Sequence, residues 1–95
     1  MNQPAHVSID LRSITTAPQL HAALAAALDF PSMYGMNWDA FHDAIMGLVE
    51  MPQQLELVGW PALQPRLPRD AALLQRCLAR MAQEMPVAAA QVHYR

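Results

Sequence analysis

Three short strand-like segments, separated by helical stretches far too long for hairpins, constrain the fold more than any other feature. His6 to Leu11 alternates, with Val7, Ile9 and Leu11 on one side and His6, Ser8 and Asp10 on the other. That is the pattern of a strand with one better-buried face. Leu55-Glu56-Leu57-Val58 reads as a second strand and Val87 to Tyr94 as a third. After the first strand, Thr16-Ala17-Pro18-Gln19 has the form of a helix start, a threonine cap with proline in the first turn and glutamine three residues on. The helix should run to about Leu28 and bury Leu20, Leu24, Ala27 and Leu28. Phe30 to Met36 reads as a loop, because Pro31 disfavours a helical Phe30 and Gly35 supplies turn freedom. Asn37 caps a second helix that continues to about Glu50 before Pro52 stops it. Gly59, Pro61, Pro65 and Pro68 then punctuate a connection with room for a helical turn or two. Asp70 to Met85 is the clearest helix, with Leu74, Cys77, Leu78, Met81 and Met85 on one face and Pro86 as the stop. Crossovers of that length imply parallel pairing, so the expected architecture is α/β, a small parallel sheet with helices packed on it. No repeat or linker divides the chain, and one domain over residues 1–95 is expected.

Composition removes several function classes. Hydrophobic residues make up 54% of the 95-residue chain and charged residues 15%, enough for one core and the reverse of a disordered balance. The single cysteine, Cys77, excludes an internal disulfide framework and a cysteine-rich zinc module. The longest aliphatic run, Ala22 to Leu28, is much shorter than the ~20 residues of a membrane span. No charged segment followed by an apolar one opens the chain, so a cytoplasmic protein is expected. A net charge of −2 argues against nucleic acid and the membrane surface as partners.

The charges are segregated. From Ser13 to Pro65 there is no lysine or arginine, while Asp29, Asp39, Asp43, Glu50 and Glu56 fall inside; from Arg66 onward five arginines accompany only Asp70 and Glu84. Counts this small can cluster by chance, but the asymmetry suits an acidic face built for a cationic partner. The second helix concentrates it. At about 100° per residue, Trp38, Phe41, Ala44, Ile45, Leu48 and Val49 share a core arc. Asp39, Asp43 and Glu50 gather opposite, flanked by His42 and Met46. The helix dipole accounts for Asp39 in the first turn but not for Glu50 near the end. Beside the Met33-Tyr34-Gly35-Met36 loop, an uncompensated acidic stripe reads as a binding surface of apolar anchors next to steering charge. A helix surface offers neither a closed metal site nor a dry pocket. Asp39, His42 and Asp43 are therefore not expected to hold a metal or to catalyse, and no cofactor is implied. His6, His21 and His93 read as structural or solvent-facing, and Cys77 as a small core residue.

Pro31-Ser32-Met33-Tyr34-Gly35-Met36-Asn37-Trp38-Asp39-Ala40-Phe41-His42-Asp43, followed by Gly47-Leu48-Val49-Glu50-Met51-Pro52, resembles the signature of the barstar family, small intracellular inhibitors of secreted barnase-type ribonucleases. The match is strong from about Phe30 to Val58. The resemblance implies a three-stranded parallel sheet with four helices, no enzymatic activity, and an active site plugged by the second helix and the loop before it. It gives Asp43 the place of a substrate phosphate, and it puts Met33, Gly35, Asn37, Asp39 and His42 in the same contact surface. A carboxylate can take that role because arginine forks bind it bidentately, as they do phosphate. From the pattern of the residues, Tyr34 and Met46 join this surface. The chain departs from the family at three points. His42 and Met33 stand where aromatics are usual, and Ala79 aligns with an acidic contact of the last long helix, near Arg76 and Arg80. Arginines on the same surface would repel an arginine-rich nuclease site. Two functions therefore stay open: an immunity-type inhibitor of a ribonuclease toxin, and an interaction or regulatory module with a partner that is no ribonuclease.

Overall fold

In the computed structural model, which describes residues 5–95, β1 spans His6–Asp10 and α1 Ala17–Leu28. Next come α2, Trp38–Asp43, and a π-helical turn, Ala44–Leu48. β2 (Gln54–Val58), α3 (Trp60–Arg66), α4 (Pro68–Glu84) and β3 (Gln91–Tyr94) complete the order. The sequence reading of residues 1–4 lies outside the described residues. All three strands are parallel, in the order β1-β2-β3, with Val7 beside Leu55 and Leu55 beside Val92. The expected α/β architecture, a three-stranded parallel sheet with four helices, is the one observed.

Alternation divides the sheet into two faces. Val7, Ile9, Leu55, Leu57, Val92 and Tyr94 belong to or pack against the core. The other face carries a polar ladder, in which Ser8 donates to Glu56 (3.2 Å), Gln54 donates to Gln91 (2.9 Å) and His93 Nε2 lies 2.6 Å from Gln54 Oε1. On this second face Ser8, Glu56, Gln54, Gln91 and His93 thus find partners across neighbouring strands.

α1 starts where the sequence places it. Thr16 accepts from the Gln19 amide while the Gln19 side chain accepts from the Thr16 amide, a complete capping box. Leu20, Leu24 and Leu28 are buried and Ala27 is only half-buried. Gly59 turns the chain from β2 into α3 at φ 86°. A Cβ there would come 2.5 Å from Arg12 Cγ and 3.0 Å from the Arg12 amide nitrogen, which leaves glycine as the residue that fits. α3 is seven residues long, within the turn or two expected, and carries Pro65 inside it. α4 buries Ala71, Leu74, Leu78 and Met81.

Three expectations fail, each for a local reason. The second helix does not stay α-helical to Glu50. After Asp43 the bonding changes, and the Val49 amide reaches back five residues to the Ala44 carbonyl at 3.2 Å. A wider turn delays the rotation of every later side chain. Leu48 consequently leaves the core arc and is 63% exposed. Val49 is already extended, so Glu50 lies beyond the helix and drops out of the acidic stripe. Met85 is the cap after the last residue of α4 and is exposed rather than part of the core. The third strand begins later than Val87, which is 97% exposed, because Ala88 and Ala89 turn back to bond the Met85 carbonyl.

Candidate partner-binding groove

Asn37 starts the region by capping α2. Its Oδ1 accepts from the Ala40 amide (2.8 Å) and its Nδ2 donates to the Gly35 carbonyl (3.2 Å), so one side chain ties the loop to the helix. Gly35 lies against that amide, where a Cβ would meet Asn37 Nδ2 at 3.2 Å. Met36 takes a left-handed φ of 58°, a conformation that costs a non-glycine residue energy and is held here by the capped turn. Met33 is 88% exposed at the loop's outer edge. Met46 packs partly against the core instead.

Beneath the loop lies an aromatic cluster. Tyr34 meets Phe30 edge to face at 4.9 Å, as Phe30 meets Phe41 at 5.7 Å and Phe41 meets Trp38 at 5.3 Å. His21, buried at 3% exposure, completes it from α1, its ring 4.4 Å from Trp38. The Tyr34 hydroxyl lies 3.3 Å from the Asn37 carbonyl, which can only accept, and 2.6 Å from His21 Nδ1. Both contacts are satisfied if Tyr34 donates to the carbonyl and His21 donates to Tyr34. Trp38 Nε1 donates to Asp70 at 2.9 Å and so fastens α2 to the first turn of α4. The sequence reading makes His21 no more than structural or solvent-facing and Trp38 a core anchor. The structure shows them as the struts of the loop and of α2.

Burial pushes the His21 imidazole below its ordinary range, against a smaller upward pull from Asp70. The folded chain then binds fewer protons at this site than the unfolded chain below about pH 6.5. The site's stability contribution is complete above that pH and is lost as pH falls through the lowered folded value. Urea midpoints should therefore decline between pH 7.5 and 5, and His21→Gln should flatten that slope; an equal slope in the variant would exclude His21 as its source.

Asp39 and Asp43 are exposed on consecutive turns of α2. With Trp38 and His42 they form one wall of a groove of about 400 Å³, whose other wall is Leu73, Arg76, Cys77 and Arg80 of α4. Among the described residues the ion pairs are Asp10–Arg12, Arg80–Glu84 and Arg95–Glu56, so neither aspartate is neutralised by direct contact. The Cys77 thiol is pushed up mainly by burial, and it feels Arg80, Asp39 and Arg76 as well. Charges from both walls thus converge on it. Cys77 packs against the core from its edge, as half expected, and its half-buried side chain also lines the groove. Among the described residues no three of His, Cys, Asp and Glu stand close enough to hold a metal ion, and no helix is long and apolar enough to cross a membrane.

The α4 wall is what the sequence reading left undecided. Leu73, Arg76, Cys77 and Arg80 follow i, i+3, i+4, i+7 spacing, a second stripe beside the core stripe of Ala71, Leu74, Leu78 and Met81. That spacing was available as a signal; which helix it faces was not.

The family model described as Barstar (barnase inhibitor) matches residues 5–95. The chain belongs to the barstar family. A protein of Bacillus subtilis (strain 168) named "Putative ribonuclease inhibitor YrdF" is 41% identical over 51 residues, covering 54% of this chain and 56% of that protein. The alignment thus takes in little more than half of that relative's length. The three parallel strands and four helices are those expected of a barstar-family chain.

Proposed function

We propose that this barstar-family chain is a non-enzymatic, cytoplasmic inhibitor of a barnase-type ribonuclease, an immunity protein that covers the active site with α2 and the loop before it. The supporting observation is the pair of exposed aspartates, Asp39 and Asp43, which make no ion pair among the described residues and follow the loop that exposes Met33. Asp43 stands in for a substrate phosphate, its two oxygens accepting from the enzyme's cationic groups. Asp39 and His42 flank it, and Met33, Tyr34, Gly35 and Asn37 shape the adjoining contact, with Met46 behind them. No titratable pair in this groove is needed for chemistry; occupying the enzyme's cleft is sufficient.

Titrating a barnase-type ribonuclease with the purified chain tests this directly. RNA cleavage should fall in proportion to added protein and reach its floor near one equivalent. Undiminished cleavage at a large molar excess would refute the reading. The second reading, a module with a partner that is no ribonuclease, draws on the placement of Arg76 and Arg80 in the groove; it predicts that undiminished cleavage.

A further inference from the structure

The groove between α2 and α4 carries both signs of charge. Exposed Asp39 and Asp43 stand on one wall, exposed Arg76 and Arg80 on the other, with half-buried Trp38 and Cys77 between them. Arg80 is partly committed, since its Nε donates to Glu84 one turn along. Arg76 has no carboxylate within ion-pair distance among the described residues. A partner seated here removes water from both walls at once. A uniformly cationic partner would satisfy the aspartates and leave Arg76 desolvated beside like charge, an arrangement that costs free energy at any interface. A partner with a carboxylate beside its cationic site would close a forked, bidentate pair with the guanidinium.

We infer that Arg76, supported by Arg80, sets partner specificity: the groove selects a protein whose cationic site is bordered by an acidic side chain, and it disfavours one that is cationic throughout. The inference rests on the inhibitory reading of Asp39 and Asp43. It adds that α4 rejects partners which those aspartates alone would accept.

Barnase is the probe, with association rate and Kd measured for the parent chain, Arg76→Glu, the Arg76→Glu/Arg80→Glu pair and Asp43→Ala. Arg76→Glu should tighten binding roughly tenfold, mostly through faster association. The gain should shrink as salt is raised toward about 0.5 M, where screening shortens the reach of exposed charges. Barnase variants with contact-face arginines changed singly to glutamate should include one that prefers the parent chain to Arg76→Glu. Unchanged or weaker barnase binding by both glutamate variants would overturn the inference. Asp43→Ala separates the two failures. If it loses binding while Arg76→Glu gains none, the inhibitory reading stands and the specificity role falls. Equal binding by Asp43→Ala and the parent removes the inhibitory reading itself.

Discussion

Asp43→Ala is expected to weaken ribonuclease inhibition roughly a hundred- to a thousand-fold and to move the thermal midpoint by no more than about 2 °C. The two effects separate because the carboxylate does different things in the free and the bound chain. Free, it is exposed and makes no ion pair among the described residues, and the turn it introduces donates no hydrogen bond to it. Its nearest charged neighbour along the helix is Asp39, a like charge one turn back, so its removal relieves a small repulsion. Bound, it would be enclosed among the enzyme's cationic groups, and truncation would strand them without a counter-charge. Inhibition constants measured beside thermal melts decide the matter: an inhibitor that survives the substitution has no use for a phosphate mimic at this position.

Phe41→Ala should do the reverse, costing about 3–5 kcal/mol of folding free energy without touching the groove's charges. Phe41 is fully buried, on the helix face opposite the aspartates, and meets both Phe30 and Trp38 edge to face. A domain of this size holds only about 5–15 kcal/mol in total, so the thermal midpoint should drop by roughly 15 °C or more. The damage would spread outward, because Phe41 supports Trp38, and Trp38 joins α2 to Asp70 of α4. Urea unfolding reads it out, with a lower midpoint and a similar slope. A loss below about 1 kcal/mol would mean that the aromatic cluster repacks around the gap.

Much of the fold could be read because single residues carried it. Thr16 with Gln19 marks the start of α1, Asn37 that of α2, and Val7 with Ile9 shows which side of β1 is buried. The π-helical turn left no such mark. Ala44, Ile45 and Met46 suit an ordinary helix, and Gly47 has open space where a Cβ would be. With the wider turn went the expected places of Leu48 and Glu50. The acidic wall could be read because Asp39 and Asp43 are four apart on one short helix. The basic wall could not, because Arg76 and Arg80 lie more than thirty residues further on, and only the packing of α4 against α2 brings them opposite. His21 shows the same limit: nothing in its neighbours along the chain announces that its ring will sit on Trp38 and reach Tyr34.

The all-parallel sheet also governs how the molecule can assemble. Ser8 meets Glu56 across 48 residues and Gln54 meets Gln91 across 37, so neither ladder can grow from a neighbouring turn. Each demands the closure of a large loop before any rung forms, and both closures converge on β2. Helices of this length arise within about a microsecond. Refolding should therefore be limited by the closures in which distant strands find β2 from either side.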